Sequence, residues 1–238
     1  MNKFQKQSNF EKWCWRFHDK IYKAIASDTN HISFDVNKDI KRIPYDTTEN
    51  KKLQDSGVDL YLNFGEEVPI QEKSKRGIKN YCVVEMYHFS KNGIYDKFGS
   101  WPKEVASCEF ISYLMVGFNQ ELGCQEQIAY WIKIDDNIKN LIRKIHKEWK
   151  ERGAHIVNDL IKNGREYQEE YINIKFDSED IGFKIFAIKN SETNGSGYST
   201  CICIPWDFLI EKYKIPMIKL YYGPGWSNNF EITVRYNQ

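Results

Sequence analysis

Polar residues suited to metal chemistry stand on two neighbouring predicted strands. Residues 57–76 read GVDLYLNFGEEVPIQEKSKR, with Asp59 in the first apolar run and Gln71, Glu72 and Lys73 in the second. Because side chains alternate along a strand, Gln71 and Lys73 are predicted to face one way and Glu72 the other. If Asp59 shares the face of Gln71 and Lys73, one side of the hairpin presents a carboxylate, an amide oxygen and an ammonium group.

Such a set suits a hard divalent cation. Mg²⁺ prefers oxygen ligands and usually keeps several waters, so Asp59 and Gln71 are candidate ligands that substrate phosphate would complete. Lys73 is the candidate for orienting or deprotonating the attacking water and for offsetting charge that develops on phosphorus. Glu85 would add a second carboxylate if its strand, residues 82–89, lies next to this hairpin; the alternative for Glu85 is a salt bridge with a lysine. Glu72 is expected to pair with a helix residue instead.

The pattern of Asp59 followed by Gln71-Glu72-Lys73 on the next strand resembles the PD-(D/E)XK nuclease superfamily, in its variant with glutamine at the first position of the second motif. The resemblance covers roughly residues 9–150. It implies a restriction-endonuclease-like αβββαβ core, that is, a central mixed β-sheet flanked by helices. It also implies a metal-dependent DNA endonuclease in which Asp59, Gln71 and Lys73 are catalytic, Mg²⁺ is the cofactor with Mn²⁺ as the alternative, and DNA is the partner.

Other interpretations of the hairpin stay open. A degenerate member would keep the fold and bind nucleic acid or a protein partner without cleavage. In a structural or regulatory α/β protein, the hairpin would be incidental and Lys73 would only protect an edge strand. A homodimer also stays open.

Basic residues that directly follow the hairpin are the candidate phosphate contacts. These are Lys75, Arg76 and Lys79, in the run SKRGIKNY. The predicted helix at residues 137–153 carries a further basic face, for which simple solvation is the favoured interpretation. The five histidines show no HxH or HExxH spacing, so a histidine-based metal site is not predicted.

The elements that must position these residues follow from periodicity. Residues 9–26 place apolar side chains at steps of three and four, which predicts an amphipathic helix. Strands are predicted at 58–64, 68–74, 82–89 and 128–134, and residues 102–118 are predicted to begin as a helix and continue as a strand. A second helix is predicted from Asp135 or Asp136 to Gly153, and residues 201–209 are predicted to run from a strand into a short helix at Pro205.

The whole chain sets the remaining expectations. Its 238 residues are 41% hydrophobic, which favours one α/β domain with a core at about 9–150 and a C-terminal elaboration at about 151–238. The net charge of +1 gives no polybasic signature of the kind typical of nucleic-acid coat proteins, so any anionic partner must be met by a local patch. No apolar stretch approaches a membrane span or a secretory signal, so we expect a soluble cytoplasmic protein with no membrane partner. The six cysteines lack zinc-site spacing and are expected to be reduced.

Overall fold

The computed structural model describes residues 3–29, 33–44, 47–98, 107–120, 124–176, 179–190, 197–222 and 232–235. Within these residues the helices are α1 (Lys3–Asp28), α2 (Val36–Asp39), α3 (Thr48–Asp55), α4 (Asp136–Lys162) and α5 (Trp206–Tyr213). The strands in the same residues are β1 (Ile40–Arg42), β2 (Leu60–Asn63), β3 (Glu67–Arg76), β4 (Tyr81–Ser90), β5 (Tyr95–Phe98), β6 (Phe110–Asn119), β7 (Cys124–Lys133), β8 (Tyr167–Phe176), β9 (Glu179–Lys189), β10 (Gly197–Pro205), β11 (Met217–Tyr222) and β12 (Ile232–Arg235). In this part of the chain, no helix combines the length and the apolar character that crossing a bilayer requires.

The chain divides into two compact units, each built from separate segments. Unit 1 takes residues 1–79, 107–134 and 210–238, and unit 2 takes residues 80–106 and 135–209. The sequence predicted one domain with a core at 9–150 and an elaboration at 151–238. Each unit combines segments from both of those regions.

Unit 1 contains a mixed sheet. Its strand order is β1-β2-β3-β6-β7-β11-β12, in which β3 and β6 are parallel and the other neighbours are antiparallel. The predicted α/β class with a central mixed sheet is therefore confirmed. Of the predicted helix-then-strand segment at 102–118, the strand part is β6, and residues 99–106 lie outside the described residues.

Helix α1 covers one face of the mixed sheet. The predicted helix is confirmed and begins at Lys3, before the expected start. Phe17 and Ile21 of α1 pack in one cluster with Leu60, Ile70 and Leu114 of the sheet, and all five are almost fully buried. Each such side chain contributes about 1.5–3 kcal/mol through burial, so α1 and the sheet stabilise each other.

The hairpin of β2 and β3 is set by a local turn. Gly65 has a φ of +97°, a conformation that L side chains rarely adopt, and its N–H donates to Asn63 Oδ1 at 3.0 Å. The turn fixes the register in which Leu60 lies opposite Ile70 and Leu62 opposite Val68. These four apolar side chains therefore share the face that α1 covers.

Unit 2 contains an antiparallel sheet in the order β5-β4-β10-β9-β8, with α4 packed on it. Asp135 caps α4 by accepting the Ile138 N–H at 3.0 Å, as predicted. The predicted end at Gly153 is wrong, because the helix continues to Lys162. Gly153 is buried, and a Cβ there would lie 3.7 Å from Thr200 Oγ1, an ordinary contact distance, so this glycine lies inside the helix against the sheet without ending it.

Candidate functional site

Asp59 and Gln71 lie side by side on the face of the hairpin opposite α1. The Asp59 N–H donates to the Ile70 carbonyl at 2.9 Å, which extends the β2–β3 ladder by one residue beyond the Leu60–Ile70 pair. Because Leu60 and Ile70 face α1, the next residues outward, Asp59 and Gln71, face the other way.

The two side chains are in direct contact. Gln71 Nε2 donates to Asp59 Oδ2 at 2.6 Å, and the Glu72 backbone N–H donates to the same oxygen at 2.8 Å. Gln71 Nε2 also lies 3.3 Å from the Glu72 carbonyl oxygen. Gln71 is buried, and among the described residues its Oε1 has no hydrogen-bond partner. The contact thus joins a half-buried carboxylate to the N–H group of an amide whose oxygen is buried and unpaired among the described residues.

Lys73 shares this face with Gln71. It is two residues further along β3 and is half-buried, and its neighbour on β6 is Tyr113. The register therefore brings Asp59, Gln71 and Lys73 to one side of the sheet, as the sequence predicted.

Glu72 points to the opposite face, and the expectation that it pairs with a helix residue is confirmed. Its Oε1 accepts from the Tyr22 hydroxyl of α1 at 2.8 Å and from Arg42 Nη2 of β1 at 2.8 Å. Arg42 Nη2 also lies 2.8 Å from Asp19 Oδ1. Burial, and next the Glu72 carboxylate, raise the pKa of Tyr22 well above its usual value, so its hydroxyl stays a donor.

A buried histidine that sequence reasoning missed lies next to this network. His18 of α1 is fully buried, with Nδ1 2.8 Å from Ser112 Oγ and Nε2 3.0 Å from Ser74 Oγ. Burial, followed by the nearby Arg42 guanidinium, lowers the pKa of His18 to about 3. The signal was present in the spacing, because Cys14, His18 and Tyr22 recur every four residues beside the apolar stripe of α1.

Glu85 does not join the hairpin. The expectation that its strand neighbours β3 is wrong, because β4 pairs with β5 and β10 in the sheet of unit 2, and β3 pairs with β2 and β6. In place of the predicted lysine, the neighbour of the Glu85 carboxylate within the described residues is His88, whose Nε2 lies 3.6 Å from Glu85 Oε1. Glu85 was predicted as a metal ligand because its strand was expected to lie next to the hairpin, and the observed pairing takes that argument away.

Glu85, His88 and Ser199 form a chain on one side of β4 and β10. A register shift pairs Tyr87 with Thr200 but Glu85 with Cys201, and this bulge brings Glu85 and His88 to the same side. His88 Nδ1 lies 3.1 Å from Ser199 Oγ, but the Ser199 hydroxyl donates to Asn190 Oδ1 at 2.9 Å. A general base must accept the serine proton, so this polarity does not suit a serine nucleophile.

The predicted phosphate contacts do not share one face. Lys75 is exposed on the face of Gln71 and Lys73, whereas Arg76 alternates to the side of α1, where its guanidinium lies 4.6 Å from the ring centroid of Phe10. Lys79 follows the turn at Gly77 and is exposed. Of the three predicted phosphate contacts, Lys75 is therefore the one that lies on the same face of β3 as Gln71 and Lys73.

Within the described residues, a group of side chains in unit 2 also has metal-ligand composition. His155 and Asp159 of α4 and Glu170 of β8 bring ligand atoms within 4.8 Å of one another. His155 Nδ1 is 3.5 Å from Asp159 Oδ2, and the His155 side chain is largely exposed. None of these residues belongs to the sheet that carries Asp59.

In comparisons with known proteins, no family model, no curated protein and no solved structure matches the chain.

Proposed function

We propose that the protein is a divalent-cation-dependent phosphodiester hydrolase of the PD-(D/E)XK type that acts on DNA. The observation that carries the proposal is the contact between Asp59 and Gln71, with 2.6 Å between Oδ2 and Nε2, on the face that Lys73 shares. The chemistry of these side chains supports a cation and a phosphate. DNA as the substrate comes from the resemblance of the motif.

The donor set fits a hard cation. Asp59 supplies a carboxylate and Gln71 a buried amide oxygen that has no partner in the described residues. These are oxygen ligands of the kind that Mg²⁺ takes while keeping waters for the remaining positions, and Mn²⁺ accepts the same set. When bound, such an ion stabilises charge on the phosphoryl oxygens and lowers the pKa of a bound water.

The chain's own residues have separate tasks in this proposal. Asp59 and Gln71 hold the cation, and the Glu72 N–H keeps the Asp59 carboxylate in place at 2.8 Å. Lys73 orients the attacking water, accepts its proton in the neutral state and offsets the charge on phosphorus in the charged state. Lys75, exposed on the same face, contacts a neighbouring phosphate of the DNA backbone.

The topology of unit 1 supports the same proposal. Helix α1 is followed by the antiparallel neighbours β1, β2 and β3, and β6 lies parallel to β3. These strands agree in part with the αβββαβ core, but α3 is inserted between β1 and β2, and the helix that the core places between its third and fourth strands has no counterpart among the described residues. Between β3 and β6 the chain contributes β4 and β5 to unit 2.

A catalytically degenerate member is the second candidate, and a specific observation favours it. Gln71 is neutral and Glu85 lies in the other sheet, so of the three predicted metal ligands Asp59 is the carboxylate left at the hairpin. Its Oδ2 already accepts hydrogen bonds from two protein donors. A site with this little negative charge holds Mg²⁺ less tightly than a pair of carboxylates. Such a protein would bind DNA or a protein partner without cutting.

A cleavage assay separates the two candidates. Plasmid and linear DNA are incubated with the full chain and Mg²⁺ or Mn²⁺, beside Lys73→Ala, Asp59→Asn and the surface control Lys41→Ala. We expect cleavage by the wild type that EDTA abolishes, and a loss of at least about 100-fold in rate for Lys73→Ala, because proton transfer typically contributes that much. DNA binding without metal-dependent cleavage by the wild type would instead establish the degenerate member.

A further inference from the structure

The Gln71 amide nitrogen occupies the place between two oxygens that a cation would use. It lies 2.6 Å from Asp59 Oδ2 and 3.3 Å from the Glu72 carbonyl oxygen, and carboxylate and carbonyl oxygens are both cation ligands. A carboxylate only accepts hydrogen bonds, so the nitrogen of the amide must face Asp59. The N–H groups of Gln71 thus supply the partial positive charge there.

The oxygen of the same amide is left without compensation. Gln71 Oε1 is buried and has no hydrogen-bond partner in the described part of the chain, an arrangement that natural proteins usually avoid. The terminal torsion of a glutamine has a broad, roughly two-fold profile. A half turn about it would exchange the nitrogen and the oxygen with little movement of the rest of the side chain.

The turned state requires a cation. With Oε1 in the present position of Nε2, two oxygens would face each other at close range, which is repulsive unless a positive ion lies between them. Two oxygens that bind one Mg²⁺ at about 2.1 Å and at a right angle are about 3 Å apart, close to the 2.6 Å between Nε2 and Oδ2. The same backbone therefore accommodates both states.

We infer that the Gln71 amide is a latch: its N–H groups close the metal-free site on Asp59, and a hard divalent cation binds only when the amide turns and presents Oε1. The inference rests on the proposed cation site. It names Gln71 as the residue that regulates access to that site. A charge-assisted hydrogen bond must be given up on binding, so the latch lowers cation affinity by about 10- to 100-fold.

The first test follows the latch itself by NMR of the full chain. The side-chain NH₂ signals of ¹⁵N-labelled Gln71, assigned by their absence in Gln71→Glu, are recorded with added Mg²⁺ and with K⁺ at equal ionic strength. We expect Mg²⁺ to move these signals, because the amide loses Asp59 and Glu72 as acceptors, and K⁺ to leave them unchanged. Mg²⁺ binding that leaves the Gln71 signals in place would overturn the latch.

The second test measures affinity for Mn²⁺ alone by calorimetry or electron paramagnetic resonance at pH 8. Gln71→Glu has no N–H to donate and also adds a second carboxylate, so we expect it to bind Mn²⁺ at least about 10- to 100-fold more tightly than the wild type. Equal affinities would contradict the latch and leave the proposed cation site standing. No Mn²⁺ binding by either protein at millimolar concentration would remove the cation site itself. Should Gln71→Glu fail to fold, the NMR comparison on the wild type still decides.

Discussion

At the scale of single residues, His18 shows how a fold can hold an ionisable group neutral. Both ring nitrogens lie within 3.0 Å of serine hydroxyls, and in the neutral ring one of them donates and the other accepts. Protonation would convert both into donors in a site with no solvent exposure, which is why burial lowers the pKa of His18 so far. The contribution of this buried, hydrogen-bonded imidazole to the stability of the fold therefore depends on pH.

We predict that the stability of the protein falls in mild acid because of His18. The pKa drops from 6.5 to about 3 on folding, so the unfolded chain binds the proton first. The His18 contribution is complete above pH 6.5 and is lost progressively as the pH falls towards 3. At pH 5 the loss is about 2 kcal/mol relative to pH 8. Urea unfolding at both pH values measures it.

His18→Gln is the matched control for this prediction. The other histidines stay in place, so the difference in unfolding free energy between pH 8 and pH 5 should shrink by about 2 kcal/mol in the variant. If both proteins show the same pH dependence, His18 is not the titrating group.

Sequence patterns predicted part of this residue-scale arrangement. Strand alternation alone predicts that Glu72 and Gln71 face opposite sides of the sheet. The turn at Gly65 is local, so the sequence also indicates which residues of β2 and β3 lie opposite each other and hence which way Asp59 faces. The His18 contacts join residues 56 and 94 positions apart, so they depend on how α1 lies over β3 and β6. Nothing local to residues 14–22 specifies those partners.

At the scale of elements, Arg42 ties β1, β3 and α1 together. Its Nη2 lies 2.8 Å from Glu72 of β3 and 2.8 Å from Asp19 of α1. The Glu72 side chain is 8% exposed, so its charge depends on this guanidinium. Because the Glu72 N–H also holds the Asp59 carboxylate, the same strand residue is fixed on both faces of the sheet.

Arg42→Met should therefore destabilise the protein strongly. The change leaves two carboxylates without their cation, and we expect a loss of about 3 kcal/mol, at the low end for a broken buried pair because Arg42 and Asp19 keep some solvent contact. Lys41→Met is the matched control, since the Lys41–Glu67 pair is 71% and 60% exposed and such pairs contribute about 0–1 kcal/mol. Denaturant unfolding compares them. Equal losses would show that the Arg42 pairs act as ordinary surface contacts.

Helices and strands were predicted correctly where their signals are local. Their neighbours in the sheets were not predicted where the paired strands are far apart in the sequence. The strands β2 and β3 and the start of α4 follow from alternation, a turn and a cap. Strand β4 was found, but its partner Thr200 lies 113 residues beyond Tyr87, and periodicity says nothing about which strand lies beside it. The predicted helix end at Gly153 was wrong because a glycine inside a helix weakens it without necessarily ending it.

At the scale of the whole molecule, both units depend on distant parts of the chain. We predict that a fragment of residues 1–150 does not fold cooperatively, although it contains the whole predicted core. It lacks β10, which lies between β4 and β9, and β11, which lies beside β7. Circular dichroism and the dispersion of a proton–nitrogen NMR spectrum test this against the full chain. A well-dispersed spectrum with a sharp thermal transition would contradict it.

The pairing of β7 with β11 also has a consequence for biosynthesis. Tyr130 and its partner Met217 are 87 residues apart in the chain. At roughly 5–20 residues per second, a ribosome needs about 4 to 17 s to make that interval. During those seconds β7 has an unpaired, apolar edge, which is the kind of surface that nascent chains use to associate wrongly. We therefore expect that a chaperone bound to the growing chain would reduce wrong association until β11 has been synthesised.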